Sequence, residues 1–107
     1  MELRQYKIVL VRLDPTTGSE IKKTRPCLII SPNEMNKYLN TIVVAPLTTN
    51  LKNLPSRVFI HTNGKKAMII LDQIRTIDKQ RVLKEFDSLN NTDIQRCKNV
   101  IKEIFVD

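Results

Sequence analysis

The stretch "KKTRPCLIIS", Lys22 to Ser31, sets an arginine at the threshold of an apolar run. A guanidinium carries a planar fork of N–H donors that matches two oxygens of a phosphate or carboxylate, and it is a permanent cation. Arg25 is therefore suited to gripping an anion and neutralising charge, and poorly suited to shuttling protons. Pro26 fixes its own φ and restricts the backbone of Arg25, so the fork stands on a stiff base. His61 is the only histidine, and histidine is the side chain that ordinarily titrates near neutral pH. In the alternating segment "RVFIHT" it reads as a half-buried strand residue. Cys27 lies in an apolar run and Cys97 in an amphipathic pattern, far apart and without a CxxC or Cys/His cluster, so both read as buried hydrophobes. No His/Cys/Asp/Glu set has ligand spacing, and neither a metal nor a cofactor is expected.

The charge balance points to the kind of partner. The chain of 107 residues carries a net charge of +7 and has a pI near 9.7. The first fifty residues hold seven Lys/Arg against four Asp/Glu and the remainder eleven against seven, so the excess belongs to the whole domain and not to a basic tail. A folded domain of this kind suits a polyanion, most simply nucleic acid. Five aromatics and no Trp argue against a base-stacking platform of the RRM or OB kind. No stretch approaches the ~20 apolar residues of a membrane span, and no apolar segment follows a basic start. A soluble, cytoplasmic chain with no membrane partner is expected, as a single domain over residues 1–107.

The elements that must position Arg25 follow from periodicity. Tyr6 to Leu13 suits a strand with at least one buried face. "DPTTGSEIKKT" marks a turn opening into a polar loop. Pro26 to Ile30 forms the next strand, and a short loop or helical turn from Asn33 to Asn36 leads to an apolar strand, Thr41 to Leu47. After the loop "TTNLKNLP", "RVFIHT" reads as a fourth strand, followed by a hairpin turn whose Asn63-Gly64 pair favours positive φ. Ala67 to Ile77 reads as one long or bent strand. Ile94, Cys97, Val100, Ile101, Ile104 and Phe105 recur at helical spacing, with Thr92 as N-cap and Asp93 in the first turn. Five or more short strands spaced about 8–12 residues apart, closed by a C-terminal helix, predict a mainly β, α+β fold: a small twisted antiparallel sheet or half-barrel.

Four pieces, "LDPTTGSE", "TRPCLIIS", "VVAPLTTN" and "LDQIRTIDKQR", occur in the order and near the spacing found in the MazF/PemK-like family. The chain resembles that family from about Tyr6 to Arg81. The resemblance implies a half-barrel of the MazF/CcdB-like type, usually a homodimer, acting as the ribonuclease toxin of a type II toxin–antitoxin pair. It also implies metal-free cutting of single-stranded RNA by attack of a ribose 2′-OH, and a small acidic antitoxin as inhibitor. Such a cut needs a group to take the 2′-OH proton, and a cation and hydrogen-bond donors for the charge that builds on phosphorus. Arg25 matches the family's arginine before proline and takes the charge-stabilising role. Thr48 matches the threonine after the third strand, with Thr49 as fallback. Asp72 aligns with an acidic residue that can serve as base, or it braces Arg75 or the sheet. Ser19, Glu20, Lys22, Lys23, Thr49, Lys52 and Arg75 are the expected RNA-binding residues, and Glu20 alternatively orients Arg25.

The chain also departs from the family pattern. Tyr6-Lys7 replaces the Gly-Asp or Gly-Glu that commonly opens the first strand, and "SEIKK" replaces a glycine-containing loop. Ser19 stands where some members have histidine and Ile70 where some have a second arginine. Two other readings compete. A CcdB-like gyrase poison depends on C-terminal residues that include a tryptophan, and this chain has none. A non-catalytic nucleic-acid-binding barrel would bind RNA or DNA without cutting it.

Overall fold

The computed structural model describes residues 2–13 and 24–106. The chain runs β1 (Lys7–Arg12), β2 (Thr24–Ile29), α1 (Asn33–Tyr38), β3 (Thr41–Thr48), β4 (Arg57–Thr62), β5 (Lys65–Ile70), β6 (Arg75–Asp78), β7 (Val82–Ser88) and α2 (Asn91–Phe105). Every strand pairing is antiparallel. The order across the sheet is β4-β5-β3-β2-β1-β7, with β6 also on β3.

Alternation along these strands divides the apolar residues between two cores, since opposed residues of an antiparallel pair share a face. On one face, Ile8, Leu28, Ala45, Leu47, Val58 and Ile69 pack with Cys97 of α2. On the other, Val9, Val11, Cys27, Ile29, Ile42, Val44, Ile77 and Val82 form a second cluster closed by Leu3 and Leu13. The residues of that second cluster are at most 9% exposed within a single chain, because the sheet curls over them. The half-barrel expected from the strand pattern is present.

Four details differ from the periodicity reading. The strand carrying Arg25 begins at Thr24, two residues early, so Arg25 lies inside β2, opposite Val11, and not at its junction with the loop. Pro26 falls where β3 does not yet pair with β2, the edge position at which a residue without an N–H is tolerated. The long strand expected over Ala67–Ile77 is broken by a 3-10 turn, Leu71–Gln73. β5 pairs Leu47 with Ile69, whereas β6 pairs Val44 with Arg75; the register slips by three residues, and those three make the turn. The N-cap of α2 is Asn90, whose side chain accepts from the backbone N–H of Asp93 at 2.8 Å, in place of Thr92. Finally, β7 has no counterpart in the sequence reading. Its "VLKEFDS" is mostly polar and exposed, as suits an edge strand that must not recruit another.

The hairpin turn behaves as expected: Asn63 and Gly64 have φ of 51° and 72°, which matches the strand twist. Tyr6 also has a positive φ, 66°, a conformation costing on the order of 1–3 kcal/mol for a residue other than glycine. It is held by Tyr6 N–H donating to the Ile29 carbonyl and Leu89 N–H donating to the Tyr6 carbonyl. The exit of β1 is clamped by Arg81, which donates to the carbonyls of Arg12 and Leu13 at 3.2 and 2.7 Å.

Candidate active site

Pairing register brings the chemistry-bearing residues to one face. Arg25 opposes Val11 on β1, and β2 pairs with β3 as Cys27 with Pro46. Carried on by two residues, that register puts Thr48 level with Arg25. Thr48 in turn opposes Met68, and Met68 opposes Phe59. Arg25, Thr48 and Phe59 thus lie in one row on the face shared by Cys27 and Val44. Arg75, opposite Val44, points to the same face. Burial pushes the Cys27 thiol up to about 12, while the guanidinium groups of Arg25 and Arg75 act against that rise.

Thr48 makes a local turn and keeps a donor. Its hydroxyl oxygen accepts from the Asn50 N–H at 3.1 Å. A hydroxyl has two acceptor lone pairs and one proton, so this bond orients the group and leaves its O–H to donate. Thr49 is exposed beside it, and Lys52 is exposed in the following loop, where its N–H donates to Asn50 Oδ1 at 3.1 Å. Asp72 is exposed in the 3-10 turn, and among the described residues no hydrogen bond or ion pair engages its carboxylate. Ser19, Glu20, Lys22 and Lys23 lie outside the described residues.

His61 is exposed on β4, two residues along the strand from Phe59 and on the same face, its ring edge-on to Phe59 with centroids 5.1 Å apart. The remaining sequence candidates are chemically quiet. Cys27 and Cys97 are free and buried. Among the described residues, no three His/Cys/Asp/Glu are grouped to hold a metal, and no helix is long and apolar enough to cross a membrane.

Two hollows open among the described residues. One of about 300 Å³ is lined by Ile8, Pro26, Leu47, Thr48, Ala67 and Phe86, most of them on the opposite face of the sheet from Arg25. A larger one, about 580 Å³, lies among Glu2, Arg4, Asn36, Lys37 and Lys79. It sits by the start of β3, whereas Thr48 ends that strand, so size does not locate the chemistry.

The sequence reading passed over Arg57. It opposes Ile70 on β5, on the face that carries Thr48. Its Nε and one terminal nitrogen are shut from solvent and meet no acceptor among the described residues. A buried unsatisfied donor costs about 1–3 kcal/mol, and more when charged. In "RVFIHT" nothing but a basic residue at the head of a strand signalled it.

The model of PemK-like, MazF-like toxins of type II toxin–antitoxin systems matches residues 4–105. The chain belongs to that family. An endoribonuclease MazF from Staphylococcus saprophyticus subsp. saprophyticus is 33% identical over 105 residues, spanning 92% of this chain and 88% of the relative. A MazE–MazF crystal structure from Deinococcus radiodurans superposes with a TM-score of 0.85 at 19% identity, over 97% of this chain and 96% of that one. Mycobacterium tuberculosis toxin MazF-mt6 gives 0.79 at 22% identity, over 92% and 95%. At such identities the two solved structures establish the fold, and they agree on the curled sheet with its C-terminal helix. The row of Arg25 and Thr48 is therefore the candidate active site of a MazF-like chain.

Proposed function

We propose that this MazF-like toxin is an endoribonuclease that cuts single-stranded RNA without a metal and is neutralised by a small acidic antitoxin. The observation that carries the reading is the register placing Arg25 level with Thr48, with Arg75 sharing their face. A phosphate lying over that face meets a guanidinium fork and a hydroxyl donor together. Family membership and the name of the Staphylococcus relative support the activity. Solved complexes of related toxins with their antitoxins support the partner.

The 2′ oxygen of the ribose attacks the adjacent phosphorus, and the bond from phosphorus to the 5′ oxygen breaks. The 2′-OH proton passes to the Asp72 carboxylate, and the leaving 5′ oxygen takes a proton from water at this exposed face. A cyclic phosphate and a free 5′-OH result. Arg25 meets the charge building on the phosphoryl oxygens, a permanent cation in a fixed place, and Thr48 O–H donates to one of them. Arg75, Thr49, Lys52 and, from the segment outside the described residues, Ser19, Glu20, Lys22 and Lys23 hold the strand.

A homodimer in the cytoplasm completes the proposal. It rests on family resemblance and on exposed apolar side chains at the end of α2, where Phe105 and Val106 are 51% and 57% accessible. A sedimentation mass of one chain at micromolar concentration would remove the dimer. The nuclease itself is tested by mapping cut ends on a mixed RNA pool and then repeating the cut in EDTA. Cleavage should persist in EDTA and should stop when the ribose at the cut site is replaced by deoxyribose. Loss of cutting in EDTA, or cutting at a deoxyribose, contradicts the mechanism.

A further inference from the structure

We propose that Arg57 binds a second phosphate of the RNA, one outside the scissile linkage, and so positions the strand across the face that carries Arg25 and Thr48. The inference rests on the nuclease reading above and adds a residue to it.

Two of the guanidinium donors of Arg57 are buried with no acceptor among the described residues. Arg57 as a whole is half-buried, so its remaining terminal nitrogen stays open to an incoming anion, and a partly desolvated cation without a partner favours one. The backbone around it is well fixed. Arg57 N–H donates to the Leu54 carbonyl at 3.0 Å, and Leu71 N–H donates to the Ser56 carbonyl at 3.0 Å. Those bonds tie the loop before β4 to the 3-10 turn that carries Asp72. On the outer side, Arg96 of α2 donates to the Phe59 carbonyl at 2.7 Å, capping the free edge of β4. The guanidinium therefore sits on a braced strand and not on a mobile loop.

Its place relative to the reaction follows from the pairings. Arg57 opposes Ile70, which lies two residues along β5 from Met68, the residue opposite Thr48. Strand spacing and rise put the Cα of Arg57 roughly 12 Å from that of Thr48 on a flat lattice, within reach of a neighbouring nucleotide of an extended strand. Lys66 and Arg75 share the face, so a polyanion crossing it meets cations along its path. That continuity with the reacting phosphate favours an RNA phosphate over an isolated protein carboxylate.

The test uses Arg57→Met, which keeps the apolar stem and removes the donors, with RNAs bearing a single neutral methylphosphonate at each linkage around the mapped cut. Wild type should lose about tenfold in kcat/KM at one non-scissile linkage, the scale of a hydrogen bond between charged groups. Arg57→Met should lose about tenfold on fully charged RNA and show no further loss when that linkage is neutralised. Its melting temperature should stay level or rise, because unsatisfied buried donors have gone. The salt dependence of RNA binding should flatten by about 0.7 in log–log slope, one phosphate contact on a single strand. Losses that multiply would overturn the proposal. So would cleavage at the wild-type rate by Arg57→Met combined with a weakened dimer or antitoxin complex, which would assign the guanidinium to a protein carboxylate. Failure of the wild type to cut any RNA would remove the nuclease reading and this subsite with it.

Discussion

At the scale of single residues, Thr48 combines a local turn with the donor role proposed for it. The oxygen accepts from Asn50 N–H, which fixes the hydroxyl without consuming its proton. Thr48→Ala should therefore lower the cleavage rate on the order of 10²-fold, the cost of one lost transition-state donor, with RNA affinity little changed. Thr48→Ser keeps both the turn and the donor and should recover most of the rate; a serine variant as slow as the alanine one would show that the methyl group, not the hydroxyl, matters. The cysteines make the opposite case. Burial pushes Cys27 and Cys97 up to about 12, so both stay protonated at neutral pH and neither supplies a nucleophile. The unfolded chain ionises first, near the ordinary thiol value, so stability from these groups is complete below about pH 9 and is lost as pH rises towards 12. A thiol reagent at pH 8 should label neither cysteine in the native protein and both in denaturant. Labelling of Cys27 in the folded state would contradict its burial beneath the arginines.

Among the elements, legibility in the sequence tracked how much each depends on its own residues. The Asn63-Gly64 turn, the alternating β4 and the apolar stripe of α2 are local facts and were readable. The break at Leu71–Gln73 was not, because it arises from a partner: β3 pairs with β5 and β6 in registers three residues apart. The polar β7 was hidden for a similar reason, since it is defined by pairing with β1 through two irregularities and not by an apolar pattern. For the proposed site, motif resemblance supplied Arg25, Thr48 and Asp72 as candidates, while Arg57 carries no motif and stands out only through buried donors without a partner. The cap of α2 is also a competition between neighbours, and asparagine at Asn90 outranks threonine two residues on. Asn90→Ala should cost about 1 kcal/mol, seen as a drop of several degrees in the thermal midpoint. Thr92→Ala should cost much less. Equal losses would put the helix start where periodicity alone had it.

Across the whole molecule, a net charge of +7 is spread over a small curled sheet, and the proposed functional face carries Arg25, Arg57, Lys66 and Arg75. A partner that inhibits by covering this face must be acidic, and its association should slow and weaken as salt rises. Salt-independent inhibition would point to an apolar surface such as the end of α2. The central claim is narrower: the guanidinium fork of Arg25, set inside β2 and stiffened by Pro26, stabilises the charge on phosphorus in the transition state. Its most direct measurement is the single-turnover cleavage rate of Arg25→Lys at saturating RNA, beside the RNA affinity of the same variant. Lysine keeps a positive charge but loses the two-point grip, and the exposed position makes the exchange harmless to the fold. The account predicts a folded protein that binds RNA nearly as well as wild type and cuts it slower by on the order of 10²-fold or more. Cleavage near the wild-type rate would show that Arg25 is only a point charge for binding and would contradict it.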